Sequence, residues 1–530
     1  MPTTSLTLQA VLKRAASAAG FGGGGRPLSG LSAAAKGFAV AATAADGVTA
    51  VIVPNDAAVE QAVADIRFFL GGLEGLSDHQ LRLHVLPCPS HEVDPYRGLA
   101  PHFEVAAARG RALHGLAGGS ARVVVIAAAA LLPRVSPPAR LLQAGYSLAV
   151  GALLEPPDLS DQLADAGFTP EDPVDAHGEF CIRGGGVDFF PAGHDQPIRA
   201  EFAGDSLESL RRFDPATQRS TETLDRADIL PLRETFERDA DLNGAEPDRS
   251  AWLADYLLGV PAGRIFLSEA DESRGVIEAR LSQAASGFAD AEERGETVLS
   301  PEELLVDWPT LDTWLDAATR LEQLWEDQDT ADTVRHVACQ PVVEFHGRLA
   351  DWAAEITRTR ERGETALLVA GTPGRAERVI ELLADYDLRA LSIDQADETM
   401  GAALLVATGQ LTRGFRLPDA ELQLFAEPDL FDEDRRVRAR RTGPARAFFS
   451  DFRDLKVGDH VVHVDHGVAM FVGLKQIGVG LEQHEFMELQ YGGQDKLFVP
   501  VQQLDLLQKY TGSTKATLDR LGGTSWAKTK

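Results

Sequence analysis

The order of apolar runs between residues 28 and 145 constrains the fold more than any other feature of the sequence. The runs GVTAVIVP (47–54), LRLHVLP (81–87) and ARVVVIA (121–127) alternate with helix-like segments at 32–45, 56–71 and 101–116. Strands that alternate with helices predict a parallel sheet with helices packed on it. The fold class is therefore α/β. At 530 residues the chain must be multidomain, since one domain takes roughly 100–200 residues.

The stretch SGLSAAAKGFAV (29–40) nearly spells a phosphate-binding loop, G-x-x-x-x-G-K-[ST]. Gly30 and Lys36 hold the required spacing, but Ala35 stands at the second glycine and Gly37 at the Ser/Thr. Ala35 puts a methyl group where the backbone must curl against phosphate. Gly37 removes the hydroxyl that would bind Mg²⁺. No nearby strand ends in paired acids; VVVIAAAA runs into alanines instead. The expectation is a degenerate loop with no catalytic residue and no bound ATP or Mg²⁺. The same letters also fit an ordinary small-residue turn entering a helix.

The charge balance, 51 Lys+Arg against 80 Asp+Glu and a net −29, argues against a broad nucleic-acid-coating face but leaves local basic patches open. Cys88, Cys181 and Cys339 are far apart and form no CxxC pair. That fits a reducing compartment, without a disulfide framework or a cysteine-based zinc site. The longest apolar run, ARVVVIAAAALL (121–132), is too short to span a bilayer, and the N-terminus lacks a basic-then-apolar signal. The expected location is the cytoplasm, with no membrane partner.

Residues 1–27 contain GFGGGG and read as a flexible lead-in to the α/β lobe at 28–145. The texture changes at 146–235. There Ile198, Ala200 and Phe202 alternate with Arg199 and Glu201, the pattern of a half-buried strand, and AGD (203–205) supplies a turn. This predicts a small inserted α+β domain. Residues 236–350 are acidic and mostly helical, and 360–431 return to strand–helix alternation as a second small α/β domain. Its turn AGTPGR (370–375) fits an anion cradle at a helix start and equally a plain strand-to-helix turn.

Residues 432–452 read as a basic linker helix with Arg435, Arg436, Arg438, Arg440, Arg441 and Arg446. A contact to DNA phosphates and a solvated helix face both fit. Short alternating strands with glycine turns at 453–511 predict a small β-barrel. His463, Asp465 and His466 invite a metal reading. His466, however, should point away from the other two, and no further Cys or His cluster completes a shell. DHGV is read as a strand-end turn, and no metal is expected.

Three passages, in this order, resemble one family. DPYRGLAPHFEVAAARGRALHGL (94–116) resembles a segment shared by the bacterial transcription-repair coupling factors (Mfd) and UvrB. HGEFCIRGGGVDFFPAGHDQPIRAEFAGDSLESLRRFDPATQRS (177–220) is similar to the domain with which both bind UvrA. The 453–511 block, with VHVDHGV and KLFVPVQQLDLL, resembles the CarD-type, Tudor-like RNA polymerase interaction domain of the coupling factors. The resemblance implies a UvrB-like module whose nucleotide loop has decayed, a second α/β domain and the polymerase-binding barrel. In this family a DNA translocase motor follows, with ATP and Mg²⁺. The sequence stops at LGGTSWAKTK, where 512–530 read as the start of the linker to that motor. A fragment of a longer protein and a motorless natural version are the two readings.

The resemblance implies an adaptor in transcription-coupled nucleotide excision repair rather than an enzyme in its own right. Its partners would be UvrA, the β subunit of RNA polymerase and, through the polymerase complex, upstream DNA. Arg183, followed by three glycines, is the first candidate for UvrA, with Phe189, Phe190 and Arg199 as further anchors. The two phenylalanines fit sheet core as well, and alternation turns at least one inward. On the polymerase side the family adds a strand edge to its partner, which singles out Leu474 and Ile477, with Lys475 as a rim charge. Leu474 and Ile477 fit barrel core equally. A motorless CarD-like transcription regulator, without a repair role, is the competing reading.

Overall fold

The computed structural model of the chain describes residues 7–22, 25–44, 47–91, 93–97, 101–192, 194–237, 247–325, 333–393, 402–431, 460–463, 467–479, 482–492, 495–500 and 507–509. The arginines from Arg435 to Arg446, Asp465, His466 and the segment 512–530 lie outside these residues. The chain forms two compact units, Met1–His91 with Phe103–Asp434, and Glu92–His102 with Arg435–Lys530.

The first unit is built on a parallel sheet. Among the described residues its strand order is Arg335–His336, Leu28–Ser29, Thr319–Leu321, Ile265–Ser268, Thr49–Val53, Val123–Ala127 and Val85–Cys88. Every pairing in it is parallel, as the alternation predicts. Helices α1 (Leu8–Ala19), α2 (Ala33–Thr43), α3 (Asp56–Glu74), α4 (Asp78–His84) and α5 (Phe103–Ala117) belong to the same half.

The structure corrects three expectations. The lead-in is not flexible over Leu8–Ala19. Thr7 caps α1, which buries Val11, Leu12 and Ala15 and lies so close to α3 that a Cβ on Gly72 would meet Leu12 at 2.6 Å. LRLHVLP is not one strand. A capping box between Ser77 and Gln80 starts α4, and only Val85–Cys88 is extended. The segment 236–350 is not merely a helical remainder, since Ile265–Ser268 and Thr319–Leu321 sit within the first sheet. The four letters IFLS, three apolar and one polar, abutting the long helix Ala270–Glu293 carry no readable period of their own.

The inserted domain leaves and rejoins this lobe through an antiparallel pair, Tyr146–Ala149 with Arg226–Ile229. Its main sheet runs Ser220–Leu224, Ser206–Phe213, Ile198–Ala203, Gly186–Phe189, Glu179–Arg183 and Thr169–Pro170. One face packs on Leu159 and Leu163 of the helix Pro156–Asp165, with Phe180, Val187, Phe189, Ile198 and Leu210 in that core. The opposite face is mostly polar.

The second α/β domain reaches back to Gln340–Pro341. Its sheet order is Gln340–Pro341, Phe415–Leu417, Leu422–Ala426, Thr365–Ala370, Leu404–Thr408 and Ala390–Ser392. Trp352, fully buried on the helix Leu349–Glu361, meets Phe425 edge-on at 5.9 Å. This domain shares one continuous core with the first lobe, from Leu12 and Phe38 to Leu411 and Phe415. Phe21, Phe38, Phe69 and Phe415 form a chain of ring contacts at 5.3, 4.6 and 6.0 Å across it.

The second unit contains an antiparallel sheet in the order Lys496–Pro500, Glu482–Gln490, Gly467–Val479, His460–His463 and Leu507–Lys509. Val461, Ala469, Phe471, Met487, Leu489 and Tyr491 form its core.

One polar contact is sealed inside the joint between the first lobe and the second α/β domain. Asp65, fully buried on α3, accepts hydrogen bonds from the Thr412 amide (2.8 Å) and hydroxyl (2.7 Å). Burial pushes its carboxyl up to about 7, against the lowering effect of the Thr412 hydrogen bonds. A raised carboxyl favours the native state while neutral, so stability is lost as pH rises from the unfolded value near 4 through 7. The loss is bounded at roughly 4 kcal/mol. Asp65→Asn keeps an acceptor for Thr412 and cannot ionise. It should raise the thermal midpoint at pH 8 and change it little at pH 4; parallel pH profiles of the two proteins would refute this assignment.

Candidate functional site

The loop that most resembles a nucleotide site is filled by the protein's own groups. The Gly30 and Leu31 amides donate to the carbonyls of Gln323 and Glu322, both at 3.2 Å. Ser32 caps α2 through the Ala35 amide. Lys36 is buried, donates to Ser268 Oγ at 2.9 Å and pairs with Glu269, which also accepts from the Gln323 amide. Glu269 thus supplies the negative charge next to Lys36. Ala35 is fully buried, and a Cβ on Gly37 would meet Asp65 Cβ at 2.9 Å. Gly37 therefore permits the close approach of α2 and α3. These residues do not fit ATP with Mg²⁺.

The turn at 370–375 is occupied in the same way. Glu427 accepts from the Gly371 amide (2.9 Å) and from Arg375 Nη1 (2.5 Å). Thr372 caps the helix Pro373–Ala384. Among the described residues no group of three or more His, Cys, Asp or Glu could hold a metal. No helix among them is long and apolar enough to cross a membrane.

The polar face of the inserted domain is ordered by cross-strand pairs. Cys181 lies opposite Asp188, Asp188 opposite Arg199, and Arg199 opposite Arg211. Residues paired across strands share a face. Arg199 grips buried Asp188 through two bonds of 2.7 and 2.6 Å and lies 4.7 Å from the Phe213 ring. That hydrogen-bonded pairing holds its guanidinium above the ordinary range. Arg183 stands at the strand end, 41% exposed, and pairs with exposed Asp172. Arg211 and Glu201, 3.8 Å apart, extend the row. Asp172, Asp188, Glu201 and Arg211 were not singled out from sequence, although the alternation that places Arg199 outward applies equally to Glu201.

Phe189 and Phe190 are corrected as anchors. Phe189 is fully buried between sheet and helix. Phe190 leaves the strand and packs with Val174, Cys181 and Phe213, 3.8 Å from the His177 ring. In this fold neither ring is presented to a partner.

Beneath the inserted domain lies a buried ion pair. Arg109 of α5 donates to Glu234 at 2.5 and 2.7 Å and to the Pro89 carbonyl at 2.8 Å. His91 reaches the same carboxylate at 3.1 Å. Burial alone would push Glu234 up, but Arg109 and His91 hold it well below the usual carboxylate range. Arg109 belongs to the 94–116 passage, so that motif contributes a structural clamp.

On the sheet of the second unit, Leu474, Lys475 and Ile477 lie on the strand Gly467–Val479, opposite Met487, Phe486 and His484. Lys475 is exposed, its amine 5.2 Å from the Phe498 ring. The neighbouring strand His460–His463 covers only Gly467–Met470. Among the described residues no strand pairs with the other edge of 471–479.

Three family models match the chain: the UvrB interaction domain at 146–234, the MFD D3 domain at 360–430 and the CarD-like/TRCF RID domain at 455–511. The chain is 26% identical to the transcription-repair-coupling factor of Bacillus subtilis (strain 168) over 81% of this chain and 41% of the relative. To that of Myxococcus xanthus it is 28% identical, over 90% and 44%. To that of Staphylococcus aureus (strain Mu50 / ATCC 700699) it is 26% identical, over 79% and 40%. The chain thus spans about two fifths of the length of these relatives.

The plugged loop makes a testable claim. Glu269→Gln leaves the Lys36 ammonium buried without its charge partner and should cost roughly 1–3 kcal/mol, discounted for the partial exposure of Glu269. Lys36→Met combined with Glu269→Gln should recover most of the loss in thermal midpoint, and neither protein should bind a fluorescent ATP analogue. Additive losses would show that the two side chains are not coupled. The three domains in this order, with an alignment over most of the chain, make it similar to the transcription-repair-coupling factors.

Proposed function

We propose that this chain serves as the adaptor of transcription-coupled nucleotide excision repair, gripping the β subunit of stalled RNA polymerase with one end and recruiting UvrA with the other. The observation that carries the reading is the pairing of a UvrB interaction domain with a CarD-like domain on one chain. Adaptor function needs no chemistry of its own, and the plugged loop at Lys36 supports that reading. ATP and Mg²⁺ are assigned to the family's translocase motor and to no residue described above. The work would take place in the cytoplasm, with the 435–441 arginines touching upstream DNA once polymerase is held.

The two grips use different physics. The CarD-like sheet, read as a small Tudor-like barrel, offers the edge of 471–479, and a strand of the polymerase would add to it through main-chain hydrogen bonds. The inserted domain offers a fixed charge pattern. Arg199 is held by Asp188, while Arg183 is paired with exposed Asp172, with a longer bond to Gln218 Oε1 at 3.5 Å, and can exchange Asp172 for a carboxylate on UvrA. Tethering both partners to one chain raises their mutual effective concentration without a new contact.

Arg183→Ala should weaken UvrA binding at least about tenfold, the scale of one charge-assisted contact, and leave the thermal midpoint unchanged. Retained affinity in a titration with purified UvrA would remove Arg183 from the interface. It would leave the competing reading, a CarD-like transcription regulator, only if the intact chain also failed to bind UvrA. Ile477→Arg should abolish binding to a polymerase β fragment while the circular dichroism spectrum stays that of the parent. An unchanged β affinity would move the polymerase contact elsewhere on the sheet.

A further inference from the structure

A cluster of three arginines at the rim of the first sheet belongs to neither interaction surface. The strand Val85–Cys88 ends that sheet. Arg67 comes from α3, Arg82 from α4 and Arg111 from α5, and all three helices pack against this strand. Arg67 Nη2 donates to the Val85 carbonyl at 2.8 Å, and its Nε is buried with no hydrogen-bond partner. Arg67 and Arg111 are half-buried and Arg82 is exposed. Among the described residues none of the three pairs with a carboxylate. Burial, and then repulsion from Arg82 and Arg111, push the Arg67 guanidinium below its ordinary range; Asp78 is the acid that opposes this. Burial likewise lowers Arg111.

Desolvated guanidinium groups that repel one another are costly unless an anion joins them. No Asp or Glu among the described residues forms an ion pair that closes this cluster. We propose that Arg67, Arg82 and Arg111 form a phosphate-binding site. Three cations against Asp78 leave an excess of about two charges, which matches a phosphate dianion or two adjacent phosphodiesters better than a single carboxylate. Planar guanidinium forks match phosphate oxygens. The phosphate can come from a free anion or from a nucleic-acid backbone.

The test uses the full chain and Arg82→Glu, which alters an exposed side chain and spares the Arg67 bond to the strand. Thermal midpoints are followed against inorganic pyrophosphate at constant ionic strength. Anisotropy of labelled duplex and single-stranded 20-mers is followed across a salt series. The parent should show a saturable rise with pyrophosphate, and Arg82→Glu should weaken it at least about tenfold. Arg111→Gln should weaken it too. An Arg82-dependent loss of DNA affinity identifies the source as nucleic acid, and a response to pyrophosphate alone identifies a small anion. No saturable rise, a rise equal in parent and Arg82→Glu, or tighter binding of an oligoglutamate peptide would overturn the proposal.

Discussion

The buried pair between Arg109 and Glu234 is the contact on which the presentation of the inserted domain depends. Glu234 lies just past the point where the chain returns from that domain, and Arg109 sits on a helix of the first lobe. A fully buried guanidinium is tolerable only because two carboxylate oxygens and the Pro89 carbonyl share its protons. Stacking adds to the clamp: His177 lies between Phe103 of α5 and Phe190 of the inserted sheet, at 5.3 and 3.8 Å. The inserted domain therefore meets its lobe through directional contacts as well as apolar packing. A face mounted this way keeps its arginines at a fixed angle to the rest of the unit.

The same economy explains the loop at residues 29–37. A phosphate loop works by leaving backbone amides and a lysine unsatisfied until phosphate arrives. Here the amides have carbonyl partners and the lysine has Glu269. Gly37 is the informative residue. Read in sequence it is the loss of a Mg²⁺ ligand; in the fold it is what lets α2 press against Asp65. The absence of a side chain at Gly37 leaves packing space for α3, and Asp65 on the other side of it bonds Thr412 of the second α/β domain.

What could be read from the sequence follows from the range of the forces involved. Alternation of apolar runs is local, so the parallel sheet, the insertion after residue 145 and the outward direction of Arg199 were all legible. Ile265–Ser268 was not, because four residues have no period and their place in the sheet is set by neighbours 200 or so positions away. Glu269 beside Lys36 and Thr412 beside Asp65 are likewise invisible without the fold. Phe190 shows the converse limit. Alternation sends its neighbour Phe189 inward and leaves Phe190 free to point out, but beyond the strand the chain turns and buries that ring against His177.

The shared core of the first lobe and the second α/β domain bears on how the proposed adaptor would act. The ring chain from Phe21 to Phe415 and the buried Asp65–Thr412 contact join the two domains in one packed interior. Close-packed interiors transmit displacement with little compression. A pull applied to the second α/β domain would therefore move the first lobe, and the Arg109–Glu234 clamp would carry that motion to the inserted domain. The polar face built on Arg183, Arg199 and Arg211 would then move as part of the unit, and its orientation would be set by whatever holds the second α/β domain.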